Sequence, residues 1–221
     1  TRRETRGGCP GMCLGREGRE GTFFIPHPGR YNVYNALAAA AAAFELGVGE
    51  ETVREALGRV SIPGRMERIP SGDGRCIFLD YAHNALSLAN ALGTLRGLAK
   101  GRLIVLFGCG GNRSRQRRFE MGETAGRMAD ETVITSDNPR EEKPEDILAD
   151  IVEGMRRTEG TYTVIPDRRE AIRYALDCSG SGDVVLIAGK GHETYQEIQG
   201  VRYPMDDRET ILDALRGEKD G

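Results

Sequence analysis

An α/β fold, with a mostly parallel sheet flanked by helices, is predicted by three features of this 221-residue sequence. Short apolar runs recur at Cys76 to Asp80, Leu103 to Phe107, Thr132 to Thr135, Tyr162 to Ile165 and Val184 to Ala188. Between them lie segments of helical pattern: Ala85 to Leu98, Gln116 to Met128, Pro144 to Arg156 and Arg168 to Leu176. A last helix is expected over Asp207 to Leu215. Strands alternating with helices mean βαβ units and right-handed crossovers. The third feature is that polar residues follow directly on the strands, at the edge where open α/β sheets bind ligands.

Ahead of this regime the chain reads differently. Residues Thr1 to Gly21 are rich in Arg and Gly with little apolar periodicity, so a poorly ordered or atypical end is expected. Thr22 to Pro26 is a short strand candidate, and His27 to Arg30 a turn. From Asn32 to about Leu46 the alanine-rich run reads as a helix, ended by Gly47. Asn32 and Asn35 share a face at its first turn; capping accounts for one of them and leaves a spare amide. A second helix, Glu50 to Gly58, carries Val53, Ala56 and Leu57 on one stripe. Pro63-Gly64 then marks a domain boundary.

Composition narrows the class of function. Hydrophobic residues at 38% and charged ones at 29% are those of a soluble globular protein. A net charge of −3, from 31 basic and 34 acidic residues, gives no reason to expect nucleic acid or an anionic membrane as partner. No apolar run could span a bilayer. Five cysteines without metal-ligand spacing argue against a zinc site and for a reduced, cytoplasmic setting. The sequence starts at Thr1 without a signal-peptide pattern, and reads as part of a longer protein.

Four strand ends carry the chemistry. Asp80-Tyr81-Ala82-His83 follows the first, Gly108 to Arg113 the second, Ser136-Asp137-Asn138-Pro139-Arg140 the third and Gly189-Lys190-Gly191-His192-Glu193 the fifth. Asp137 offers an acceptor for an ammonium, Asn138 an amide that works either way, and Arg140 a planar fork for a carboxylate. That set suits an amino acid better than a phosphate or a base. Each loop alone could be an ordinary turn. Gly108 to Arg113 lacks the Lys-Ser/Thr of a phosphate loop, so its distinctive group is Arg113, a second guanidinium. No nucleophile, base and orienting group fall together, which leaves covalent catalysis without support and no catalytic residue to name.

Taken together, Gly29 to Leu37, Pro63-Gly64-Arg65-Met66-Glu67, Asp80 to His83, Phe107 to Arg113, Asp137 to Arg140 and Ala188 to Glu193 resemble the Mur ligases, ATP-dependent amide-forming enzymes of peptidoglycan precursor synthesis. Within that family they are most similar to the branch that adds meso-2,6-diaminopimelate to UDP-N-acetylmuramoyl-L-alanyl-D-glutamate. The resemblance implies that residues 22–62 are the tail of a central ATPase domain and that 63–221 form a Rossmann-like C-terminal domain. It implies that Arg113, Asp137, Asn138, Pro139, Arg140, Gly189 and Glu193 bind diaminopimelate, and that Asn32, Asn35, Arg65 and Asp80 contact ATP or hold a closed state. ATP and Mg²⁺ are the implied cosubstrate and cofactor, with the metal ligands elsewhere in the family's central domain. A monomer handling small molecules is expected.

The sequence also departs from the family. Its Gly-Lys-Thr phosphate loop does not occur here, residues 1–21 do not match, and Asn84-Ala85-Leu86 replaces the frequent Thr-Pro-Asp. The isolated chain is therefore expected to form no product. Alternatives are a lysine-adding or other Mur-type ligase, and a binding module without chemistry of its own.

Overall fold

The computed structural model describes residues 3–6, 9–16 and 19–217, with side chains from Phe23 onward. It divides into two compact units, Thr1–Ile62 and Pro63–Gly221.

In the first unit, β1 (Arg3–Arg6), β2 (Cys9–Arg16) and β3 (Arg19–Ile25) form an antiparallel sheet in that order. β1 and β2 thus fall in the stretch expected to be poorly ordered or atypical. A ladder is built by backbone groups, and Phe23 and Ile25 give it a buried end to grow from. Residues 1, 2, 7, 8, 17 and 18 lie outside the described set. Helices α1 (Arg30–Glu45) and α2 (Glu50–Arg59) complete this unit. Ala36, Ala40 and Val53 pack with Phe23 and Ile25, because alanine lets a helix sit close to its neighbours.

The second unit contains β4 (Glu67–Ile69), β5 (Cys76–Asp80), α3 (Ala85–Arg96), β6 (Leu103–Phe107), α4 (Arg115–Met128), β7 (Glu131–Ile134), α5 (Pro144–Met155), β8 (Tyr162–Val164), α6 (Arg168–Asp177), β9 (Val184–Ala188), β10 (Tyr195–Ile198), β11 (Val201–Pro204) and α7 (Asp207–Arg216). Its main sheet has the order β4-β5-β9-β6-β7-β8, with β4 antiparallel and the other pairings parallel. β6 and β9 are buried at every residue, as strands covered on both faces must be. One face (Ile77, Leu79, Ile104, Leu106, Val185 and Ile187) packs under α6 and α7. Strands β5, β9, β6 and β7 are adjacent and point the same way, so their following loops share one edge.

Cys109 and Cys178 are free thiols. Asp80 does not cap α3; Asn84 does, accepting from the Ser87 amide at 2.9 Å. Among the described residues no helix is long and apolar enough to cross a membrane.

Helices α4 and α5 are joined by charge. Arg118 is 1% exposed and pairs with Glu142 at 2.7 Å and Asp150 at 3.1 Å, while Arg115 grips Asp150 from outside at 2.6 Å. The Arg115 hydrogen bond holds the Asp150 carboxyl below its usual range, and Arg118 does the same for Glu142. A depressed folded-state pKa contributes stability that is present above the unfolded value and lost as pH falls through the folded one. Thermal melts from about pH 6 down to about pH 3 should show stability falling, with a shallower slope in Asp150→Asn. Equal slopes would remove this pair from the acid response.

Candidate functional site

The site is built where the loops after β5, β6, β7 and β9 meet. A cavity of about 290 Å³ is lined by Tyr81, His83, Gly108, Cys109, Gly110, Arg113, Arg117, Asp137, Asn138, Arg140, Gly189 and Glu193. That volume lies at the small end of small-molecule pockets. Its walls are two-signed, with guanidinium groups from the β6 and β7 loops and carboxylates from the β7 and β9 loops.

Close backbone contact makes this possible. The Gly111 amide donates to the Asn138 carbonyl at 2.9 Å, and Arg140 Nη1 donates to the Gly111 carbonyl at 2.7 Å. Gly189 takes φ +109°, and a Cβ there would sit 2.7 Å from Asp137 Oδ2, so glycine lets that carboxylate lie over the β9 loop. Arg140 itself has φ +53°, a left-handed conformation uncommon for a non-glycine residue. The β10–β11 hairpin holds it there: the Arg140 amide donates to the Glu197 carbonyl, and the Gln199 amide to the Arg140 carbonyl.

Polar side chains are locked in register. Asn138 Oδ1 accepts from buried Lys190 Nζ at 3.0 Å and from the Glu197 amide at 2.9 Å. Its amide nitrogen is thereby turned to Glu193 Oε2, 2.8 Å away. Tyr81 donates its hydroxyl to the other Glu193 oxygen at 3.2 Å, and Asp137 Oδ1 accepts from the Asn138 amide at 2.6 Å. Burial lowers the Lys190 ammonium below its ordinary range, against the pull of Asp137 and Glu193. Burial and then the Glu193 charge raise the Tyr81 hydroxyl. Cys109 is pushed up to about 12 by burial, so it is no thiolate nucleophile near neutral pH.

Of the residues expected to bind an amino acid, Arg113, Asp137, Asn138, Arg140, Gly189 and Glu193 surround this one cavity. Pro139 does not line it; its carbonyl faces Gly111 and sets the loop crossing. Arg113 is exposed, with Nη1 3.2 Å from the Asn112 carbonyl. Arg140 is less isolated than its sequence suggests, since Glu197 lies 3.8 Å from its Nε.

Of the residues that the resemblance links to ATP, Asn32 and Asn35 belong to the first unit and Arg65 and Asp80 to the second. In the first, Asn32 donates its amide to the Pro28 carbonyl at 2.7 Å, and Asn35 is exposed. In the second, the Arg65 guanidinium stacks over Tyr81 at 4.3 Å. Asp80 accepts from the Met66 amide at 2.8 Å and the Ala82 amide at 2.9 Å. Burial raises its pKa, with those amides opposing.

The sequence placed Tyr81, His83 and Lys190 on the strand-end loops without giving them a binding role, and it gave no sign of Arg117; the hairpin behind Arg140 was not predicted. Gln199-Gly200 between Tyr195–Ile198 and Val201–Pro204 was the available signal, a two-residue turn with both φ values positive.

Residues 64–191 match the family model described as Mur ligase, glutamate ligase domain. A protein of Caldanaerobacter subterraneus named UDP-N-acetylmuramoyl-L-alanyl-D-glutamate--2,6-diaminopimelate ligase is 47% identical over 188 residues, 85% of this chain and 39% of that protein. A protein of the same name from Geobacillus thermodenitrificans is 49% identical over 189 residues, again 85% and 39%. A solved structure of a ligase of this name superposes with a TM-score of 0.71 at 37% identity, covering 94% of this chain and 43% of the other. The chain thus spans about two fifths of the length of the curated relatives it matches. With its matched domain covering more than half of its residues, the chain belongs to the Mur ligase family.

Proposed function

We propose that this chain supplies the amino-acid-binding domain of a ligase that joins meso-2,6-diaminopimelate to UDP-N-acetylmuramoyl-L-alanyl-D-glutamate. The observation that carries the reading is the convergence of Arg113, Arg140, Asp137, Asn138 and Glu193 on one small cavity. Diaminopimelate has an amino-acid head at each end. Arg113 and Arg140 pair the distal carboxylate, and Glu193 and Asp137 the distal ammonium, through charge-assisted hydrogen bonds. The other head is left to present its amine. The names of the relatives support that choice of substrate.

In this reading ATP activates the D-glutamate side-chain carboxylate as an acyl phosphate, which the bound amine attacks. The domain's contribution is to hold that amine in line. Mg²⁺ would stabilise the developing charge; among the described residues no cluster of three His, Cys, Asp or Glu could hold a metal, and no step here runs through it.

Titration of the chain with meso-diaminopimelate and with lysine tests the substrate. Lysine lacks the distal carboxylate, so it should bind at least about tenfold more weakly. The discrimination stays short of complete, because the Gly111 carbonyl and Glu197 still partner Arg140 when lysine is bound. Equal affinity for the two would overturn the diaminopimelate assignment in favour of a lysine-adding ligase.

A further inference from the structure

A buried charged pair hydrogen-bonds to the backbone at the start of two loops that line the pocket. Arg168, the first residue of α6, is 1% exposed, and Asp207, the first of α7, is 0% exposed. Arg168 donates through Nε to Asp207 Oδ1 at 2.8 Å and through Nη2 to Oδ2 at 2.7 Å. The same guanidinium reaches two carbonyls, one at the end of β9 and one in the loop after β7: Ala188 at 2.9 Å from Nη2 and Ser136 at 3.3 Å from Nη1. Ala188 immediately precedes Gly189, and Ser136 immediately precedes Asp137.

A buried ion pair is weak evidence for stability, since apolar residues of similar volume often do as well. Apolar residues could not, however, satisfy two carbonyls where two binding loops begin. Lysine could not either, because its ammonium is a point charge without a planar fork.

We infer that Arg168, aimed by Asp207, is a positioning residue that sets the spacing between the Asp137–Arg140 loop and the Gly189–Glu193 loop. It acts through the backbone and never meets the ligand. Asn138, Lys190 and Glu193 tie the same loops together above it, so the pocket is braced at two levels. Where the ligand is concerned, the inference rests on the diaminopimelate reading.

The test uses the 221-residue chain carrying Arg168→Met with Asp207→Leu, and separately Asp207→Asn. Amide hydrogen exchange is followed without ligand. At Asp137, Asn138, Gly189 and Lys190 it should accelerate at least tenfold in the double variant and to a smaller extent in Asp207→Asn. Amides inside β6 and α6 should keep their wild-type rates. The affinity for meso-diaminopimelate should fall at least tenfold in the double variant. Unchanged exchange in the two loops overturns the inference, and so does acceleration spread evenly over α6, α7 and the sheet. Loss of folding in both variants also overturns it, since the pair would then be holding the domain together. If the wild-type chain binds no diaminopimelate, the substrate reading fails, while the exchange pattern still decides the role of Arg168.

Discussion

Arg140→Ala should weaken meso-diaminopimelate binding by about 30- to 150-fold while leaving the fold intact. Truncating one side of a desolvated charge pair costs about 2–3 kcal/mol at the low end of measured cases. Arg140 meets the conditions for such a loss. Its side chain is 25% exposed, and its Nη1 is anchored on the Gly111 carbonyl, so little entropy remains to be lost on binding. A Cβ on Gly110 would come within 2.8 Å of that nitrogen, which shows how closely the β6 loop wraps the fork. Glu197 works in the opposite direction, because it offsets the guanidinium charge that a ligand carboxylate must claim. Glu197→Gln should therefore tighten binding, and calorimetry on both variants reads the two signs. Arg140→Ala binding as well as wild type would remove this residue from the substrate site.

How much of this was legible in the sequence depended on whether burial left a pattern. Leu103 to Phe107 and Val184 to Ala188 could be read because strands covered on both faces must be apolar throughout. β4 could not: Glu67-Arg68-Ile69 is an antiparallel edge whose glutamate is buried by accepting the Gly64 amide, and nothing in the residue types says so. The β10–β11 hairpin is half-exposed and polar, so it lacks the alternation that marks a strand packed on a core. The site divides in the same manner. Asp137, Asn138, Arg140 and Glu193 stand out because they follow strands. Nothing in the residue types marks Lys190, between glycines, or Arg168, within Asp167-Arg168-Arg169-Glu170, as buried, yet their side chains are 0% and 1% exposed. Their burial is set by groups far away in sequence, Asn138 for one and Asp207 for the other. Only the folded chain brings those partners together.

The crossing of the β6 and β7 loops makes Gly111→Ala the substitution with the largest combined effect on stability and binding. An added Cβ would lie 1.8 Å from the Pro139 carbonyl oxygen and 2.7 Å from its carbon. Both atoms are backbone, so no rotamer change relieves the overlap and the loops must part. Parting them breaks the Gly111–Asn138 and Arg140–Gly111 hydrogen bonds, each worth about 1 kcal/mol, and overpacking adds about 1–3 kcal/mol. A destabilisation of about 3 kcal/mol or more should lower the melting temperature by about 6–12 °C. Affinity for meso-diaminopimelate should be lost as well, because Asn138 and Arg140 are the groups displaced. Gly180→Ala is the matched control: a Cβ there meets nothing within 4 Å, so melting and binding should stay at wild-type values. A Gly111→Ala protein that melts and binds like this control would show that the two loops do not cross where the pocket requires them to.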